Sequence, residues 1–379
     1  MVSGKKNIMY IGPYYFDPIL GAKTVTMMFR DFLDALGNDH DVFLLTSKYN
    51  SRHPAQLSHL YGINIVKVDN KRFGGFSRLG YLLPGIISIY RNKIDVVTNT
   101  AGGISYGLDA AIIGKMCRKR SVVRIAGDEI RTRFYIRRYE GLKGKAVFWI
   151  DILRQWLAVN MADAVIVMSQ REAKRVGKIT LRKDKIFICP RGVDLGYFYP
   201  EKTGINKKDR FVVLYSGRKS SEKGYDLVIK AAELLREFKD IGFIFAGDFE
   251  RKTQSNCEYR GYVHPLRLKD LYREADVVLL PSRTEGFPTV LAEAMAMGKS
   301  CIVSRHLFHG YLEDGQYALL CDLRPDDIKN KILYLYNNPQ ILTYLAENAR
   351  AFAVKNLDKR ALGKKYRSIV LSLNGKEQR

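Results

Sequence analysis

No stretch free of Asp, Glu, Lys and Arg reaches the ~18–20 residues that a membrane-spanning helix needs. The longest such run, Ile332–Ala346, is broken by Asn337, Asn338, Pro339 and Gln340. Cysteine is sparse: Cys117, Cys189, Cys257, Cys301 and Cys321 form no C-x-x-C pair. A zinc site or disulfide framework is therefore not expected, and a reducing cytosol is. Behind Lys5 and Lys6, Asn7–Ile11 is only a short apolar run ended by Gly12 and Pro13, which fits a first strand rather than a signal peptide. Acidic residues are also in deficit. The 379 residues hold 63 Lys plus Arg against 39 Asp plus Glu, a formal charge of +24. That excess points to a polyanionic partner: nucleic acid, anionic lipid or phosphorylated ligands. Disorder is excluded by a hydrophobic fraction of 46%.

What is present is a rhythm of short β-branched runs, polar or glycine turns and amphipathic helices. Asn7–Ile11, Asp41–Thr46, Asn64–Val68, Asp95–Thr98, Ser121–Ile125, Ala164–Met168 and Ile186–Cys189 read as strands. They are near-continuous apolar runs, as in strands covered on both faces. Ala22–Leu36, Ser77–Arg91, Gly107–Lys119 and Phe148–Met161 read as helices between them. A polar segment, Glu201–Arg210, precedes a second series. Its strands are Phe211–Ser216, Gly242–Ala246, Val277–Leu280, Cys301–Ser304 and Ala318–Cys321, and its helices Asp226–Phe238, Pro265–Glu274, Pro288–Met297 and Asp326–Asn337. The tail, Pro339–Leu373, is helical and amphipathic. The alternation predicts two doubly wound α/β domains, residues 1–195 and 196–357. Ligands of such sheets bind outside the carboxyl ends of the strands, so functional residues are expected on strand-to-helix turns.

Two turns have chemistry to offer. After Phe211–Ser216 come Gly217, Arg218, Lys223 and Gly224, then a helix opening with Asp226. Free backbone N–H groups, a guanidinium fork and an ammonium would suit a diphosphate. A solvated basic loop has the same composition. The spacing is not that of a P-loop. After Val277–Leu280 come Pro281-Ser282, Glu285-Gly286, Phe287-Pro288 and a helix carrying Glu293 and ending at Gly298. Carboxylates without metal-ligand companions suit hydroxyl recognition. The alternative is that Glu285 is a capping acid and Glu293 an outer-face residue.

Arg218…Lys223-Gly224, Gly247, Gly261-Tyr262-Val263, Pro281-Ser282-x-x-Glu285-Gly286-Phe287-Pro288 and Glu293-Ala294-Met295-Ala296-x-Gly298 are spaced as in one family. The chain resembles the group 1 (family four) glycosyltransferases, retaining enzymes that use nucleotide sugars and have the GT-B fold, two Rossmann-like domains facing an interdomain cleft. The resemblance is dense from Phe211 to Asp322. It implies that Arg218 and Lys223 hold the donor diphosphate, Glu293 the ribose hydroxyls and Glu285 the donor sugar. It places backbone at Gly217, Gly286 and Phe287 beside sugar and phosphates, Tyr259 to Val263 beside the base, and Gly12 and Gly21 in a first-domain loop over the diphosphate. The last helix, about Asp358–Leu373, would return to the first domain, which then comprises 1–195 with 358–379. There are departures. Ala22-Lys23 follows Gly21 where paired glycines are usual, Arg191 precedes Gly192-Val193-Asp194 where asparagine is usual, and His309-Gly310 replaces two glycines. Gly127-Asp128-Glu129 stands where many members have a histidine, and Asp128 is assigned the sugar-contacting or acceptor-activating place.

The implied reaction moves a glycosyl group from a nucleoside diphosphate sugar to an acceptor, with retention. Arg218, Lys223 and helix N-terminal amides would stabilise the leaving diphosphate, so neither metal nor other cofactor is expected. The one Asp-x-Asp, Asp39-His40-Asp41, precedes an early strand, a poor place for a metal-bridged diphosphate. Most of the positive charge lies elsewhere. Up to Leu195 there are 32 basic and 16 acidic residues, and Lys115–Arg154 holds 12 and 4. Arg131, Arg133, Phe134, Arg137, Arg138, Lys143, Lys145 and Trp149 interleave cations with rings, which fits an anionic membrane surface, single-stranded nucleic acid, or a solvated helix face. The resemblance selects the membrane, since many relatives act on lipid-linked acceptors. The expectation is a peripheral enzyme on the cytoplasmic membrane face with a lipid-linked or glycan acceptor and no nucleic acid. The competing expectation is a catalytically silent GT-B-like protein that binds membrane or nucleic acid through its basic domain.

Overall fold

The computed structural model describes residues 5–12, 14–17, 21–22, 33–37, 39–47, 51–52, 63–68, 79–100, 104–135, 140–200, 210–264 and 267–372. The contacts divide the chain into two units, residues 1–190 with 360–379, and residues 191–359.

The first unit is built on seven parallel strands: β1 (Asn7–Ile11), β2 (Asp41–Ser47), β3 (Asn64–Val68), β4 (Val96–Asn99), β5 (Arg120–Ile125), β6 (Ala164–Val167) and β7 (Ile186–Ile188). Their order is β7-β6-β5-β4-β1-β2-β3. The apolar runs are buried on both faces as their lack of alternation predicts: every residue of β4 and β6 is buried. One face packs Met9, Ile11, Leu45 and Val97 against Tyr81, Ile89, Ala110 and Ile113. Another cluster joins Val123, Ile125, Val165 and Val167 to Leu108, Ala158 and Val159.

The second unit repeats the plan. Its strands are β8 (Phe211–Ser216), β9 (Ile241–Ala246), β10 (Lys252–Gln254), β11 (Cys257–Gly261), β12 (Val277–Leu280), β13 (Ser300–Ser304) and β14 (Leu319–Cys321). They are ordered β10-β11-β9-β8-β12-β13-β14. All pairs are parallel except the β10–β11 hairpin. Tyr259 to Gly261, expected in a turn, therefore end the strand next to the edge, with Tyr259 stacked on Phe245 at 4.8 Å. The hairpin escapes the sequence pattern because its strands carry mainly polar residues, Lys252-Thr253-Gln254 and Glu258-Tyr259-Arg260.

Three boundaries move. Arg191–Leu195 belong with the second unit rather than the first: Val193 N–H donates to Leu357 O at 2.8 Å, and Lys359 N–H to Val193 O at 3.0 Å. The same exchange breaks the tail into helices 339–356 and 359–371. The last helix does return to the first unit, as expected. Tyr366 and Tyr10 hydroxyls share a 2.9 Å hydrogen bond, and Arg120 donates to Ile369 O at 3.0 Å. Thirdly, the helix expected at Phe148–Met161 spans Gly141–Met161. Two glycines lower the propensity of its first turns, but Gly144 is buried on the inner face, where close packing compensates. Most of the helix expected at Ala22–Leu36, all but Arg210 of the Glu201–Arg210 segment, and Arg137 and Arg138 lie outside the described residues.

Candidate functional site

In the second unit the strand order reverses between β8 and β12, and the crevice outside their carboxyl ends is where a parallel sheet takes a ligand. Glycines close the neighbouring strand ends. Gly217 N–H donates to Ala246 O, and Gly247 N–H to Gly261 O, both at 2.9 Å. A Cβ at Gly247 would lie 2.0 Å from Gly217 O. Here the chain has no room for a side chain, which leaves bare backbone at the strand ends.

Two turns meet over this crevice. Ser221–Lys223 form a single 3₁₀ turn ended by Gly224 at φ +73°. A Cβ on Gly224 would stand 2.1 Å from Pro281 O, so glycine lets the turn after β8 press on the turn after β12. Side chains then staple the two. Arg283 donates to both carboxylate oxygens of Asp226 at 2.7 Å, and its N–H to Glu222 O at 2.8 Å. The Lys223 ammonium pairs with Glu285 Oε1, which also accepts from Ser282 Oγ at 3.3 Å. Arg218 pairs with the buried Glu222, while its own side chain remains 61% exposed. Lys223 and Glu285 thus hold each other across the two turns, and Glu222 holds Arg218 on the first of them.

Glu293 lies on the helix Thr289–Ala296, whose residues Leu291–Ala296 are all buried. The outer-face reading of Glu293 is overturned: it is 6% exposed, and Tyr272 OH donates to its Oε2 at 2.7 Å. Burial first, then the Glu293 charge, push the Tyr272 hydroxyl well above its usual range. Gly298 closes the helix at φ +64°, with Lys299 N–H returning to Ala294 O at 3.0 Å. Phe287 is buried edge-on to Phe308 and Tyr311. Tyr262 and Val263 follow β11 beside Gly247, Tyr262 being exposed. No sequence signal singles out Tyr272, Glu222 or Arg283, and Asp226 reads from sequence only as the opening of its helix. Ser282 and the buried Thr284 sat inside the quoted motif, adjacent to Glu285.

The remaining candidates belong to the first unit. Gly12, at φ +148°, ends β1 where that sheet reverses order, and a Cβ there would lie 2.1 Å from Thr100 Oγ1. Gly21 sits with Ala22 in a two-residue strand antiparallel to Phe16–Asp17. Asp128 follows β5. Its Oδ1 accepts from Arg131 N–H at 3.1 Å, capping the helix Glu129–Tyr135, and lies 3.6 Å from Arg175. Of the surface set, Phe134, Lys143, Lys145 and Trp149 are exposed. Arg133 is not a surface cation: it turns inward to the fully buried Asp151, which needs a counter-charge. Arg131 is half-buried. Leu142, Ile150 and Leu153, which the sequence reading passed over, are exposed on the same helix as Trp149, and so is Trp156.

Two family models cover most of the chain. "Glycosyltransferase Family 4" matches residues 19–197 and "Glycosyl transferases group 1" matches 198–352. The uncharacterised glycosyltransferase MJ1178 of Methanocaldococcus jannaschii is 27% identical over 67% of this chain and 77% of its own. The N,N'-diacetylbacillosaminyl-diphospho-undecaprenol alpha-1,3-N-acetylgalactosaminyltransferase of Campylobacter jejuni is 25% identical over 69% of this chain and 72% of its own. Other matches are shorter, spanning 41% and 43% of the relatives' length. Among solved structures, Anabaena HepE in complex with UDP-glucose has a TM-score of 0.72 at 17% identity, covering 95% of this chain and 98% of that one. At that identity the likeness concerns the fold, which is GT-B.

Proposed function

This chain belongs to the group 1 (family four) glycosyltransferases, and on that premise we propose that it transfers a sugar from a nucleoside diphosphate donor to a lipid-linked or glycan acceptor, retaining the anomeric configuration, at an anionic membrane face in the cytoplasm. The observation that carries this reading is the pairing of Lys223 with Glu285 at the strand-order reversal of the second sheet. It puts an ammonium and a carboxylate side by side, the two groups needed at a bond between a sugar and a diphosphate. Lys223 and Arg218 stabilise the charge that develops on the leaving diphosphate. Glu285 accepts from donor-sugar hydroxyls, and Glu293, fixed by Tyr272, accepts from the ribose. Because these cations face the leaving group, the reaction needs no metal. Asp128 takes the acceptor-side place in the first unit.

The membrane part is supported by the outer face of the helix 141–161. The helix buries Asp151 and Gln155 along with Gly144, Ala158 and Val159, while Leu142, Trp149, Ile150, Leu153 and Trp156 stand exposed with Lys143 and Lys145. Exposed rings and leucines beside lysines suit headgroup depth. No helix among the described residues is long and apolar enough to cross a membrane. The HepE complex and the Campylobacter enzyme support the donor and acceptor classes. A panel of nucleoside diphosphate sugars with a lipid extract as acceptor tests the reading. Release of nucleoside diphosphate coupled to a hexose mass increment on a lipid is expected. Failure of every donor to release nucleoside diphosphate would leave the catalytically silent reading standing.

A further inference from the structure

Four arginines gather at the carboxyl ends of β5 and β6. Arg124 lies in β5 and is 3% exposed. Arg131 stands on the helix 129–135, and Arg171 and Arg175 on the helix 170–176. Two are engaged by the protein. Arg175 reaches Asp128 at 3.6 Å, Gly127 O at 3.5 Å and Gln155 Oε1 at 3.3 Å, and Arg124 donates to Met168 S at 3.2 Å. The other two are not. Arg131 and Arg171 are half-buried, and neither guanidinium forms a hydrogen bond or ion pair with a described residue. Burial, then the Arg131 charge beside it, hold Arg171 below the usual arginine range.

The acidic groups nearby do not balance this charge. Asp128 is already shared between Arg175 and the N–H of Arg131. Glu172, 3% exposed, is pushed by burial up to about 7, so it is only partly ionised near neutral pH. The Gln155 amide nitrogen is buried beside Arg175 without a partner among the described residues. Arg171 stands one helical turn before Arg175, and Arg175 and the Arg131 N–H share Asp128, so the two half-buried cations lie at one turn, where the pull of Asp128 and Glu172 does not offset burial and mutual repulsion. Two planar forks match the oxygens of one tetrahedral oxyanion.

We infer that Arg131 and Arg171 form a binding site for a phosphate-class oxyanion, the charged group of the acceptor. Only the word acceptor rests on the glycosyl-transfer reading above; the anion site stands on the arginines. The phosphate comes either from a lipid-linked acceptor or from a soluble sugar phosphate.

The test is protection from phenylglyoxal, an arginine reagent, read peptide by peptide by mass spectrometry on the full chain saturated with UDP. Arg131 and Arg171 should be modified in the UDP-saturated protein and protected when inorganic diphosphate is added. Calorimetry with the same probe should show an affinity at least about tenfold weaker for the double variant Arg131→Gln/Arg171→Gln, with Arg171→Lys losing less. No protection, or equal affinity in the double variant, overturns the site. Protection by vesicles carrying a polyprenyl phosphate, but not by a sugar 1-phosphate, assigns the lipid source, and the reverse assigns the soluble one. Neutral phosphatidylcholine vesicles should protect neither arginine, and protection by them overturns the site. Sugar transfer does not enter this readout. Transfer without protection therefore counts against the site alone, and protection without transfer against the glycosyl-transfer reading alone.

Discussion

The Lys223 ammonium meets the Glu285 carboxylate across 62 residues of sequence. The two sit on turns that follow different strands, and the pair forms because β8 and β12 are neighbours. Replacing Lys223 by Ala removes one of the charges proposed above to face the leaving diphosphate. Turnover should fall by about 10²-fold or more, the scale of a lost oxyanion donor. Steady-state release of nucleoside diphosphate measures it, and unchanged turnover excludes the assignment.

Tyr272→Phe takes away the hydroxyl that donates to Glu293. A buried carboxylate deprived of a donor costs about 1–3 kcal/mol. Urea unfolding should register that loss. Because Glu293 is assigned to ribose binding, the donor KM should rise more than kcat falls.

Gly247 and Gly310 both have positive φ, at +150° and +79°, but only Gly247 is enclosed. Gly310→Ala should cost about 1 kcal/mol of backbone strain. Gly247→Ala must also move the chain away from Gly217 O, so it should cost more and weaken donor binding with it. Paired thermal melts and donor titrations compare the two.

Glu172 gives the first unit a pH dependence. Burial raises its carboxyl from the ordinary 4.5 to about 7, against the Met168 N–H bond and Arg175, which act the other way. The folded state therefore binds the extra proton. The contribution of this group is full below about pH 4.5 and is lost as pH rises toward about 7, by about 3 kcal/mol for the whole shift. Glu172→Gln keeps an acceptor for Met168 and removes the charge. Its stability in urea should change less than that of the parent between about pH 5 and about pH 8. An equal slope in both proteins would show that Glu172 is not the titrating group.

Trp149→Ser with Leu153→Ser alters only the outer face of the helix 141–161. Each large side chain buried in a bilayer contributes about 1.5–3 kcal/mol, so co-sedimentation with anionic vesicles should fall steeply while the unfolding midpoint stays put. Binding by the parent protein should weaken with salt. Equal binding to neutral vesicles counts against the lysines' role.

Much of this molecule was legible in its sequence. Runs such as Val277–Leu280 are apolar at every position, and only a strand covered on both faces uses such a run. The stretch from Val277 to Gly298 reads as a strand, a loop carboxylate and a capped helix at once, because each part has its own local signature. The β10–β11 hairpin was not legible, since its residues are mostly polar and their pairing is supplied by the edge of a sheet assembled elsewhere. Arg133 was read as a surface cation for a similar reason. Composition gives its charge, but only the packing of helix 129–135 on helix 141–161 puts Asp151 in front of it.

The sequence by itself determined the two doubly wound units and the residue types of the crevice at the second sheet's strand-order reversal, because burial and turn chemistry are written in periodicity and local spacing. Which side chains face each other was decided by tertiary structure. Lys223 with Glu285, Tyr272 with Glu293, and Arg131 beside Arg171 each bring together residues from segments that strand order or helix packing makes neighbours. Strand order is settled by the packing of the whole sheet, and no local pattern records it.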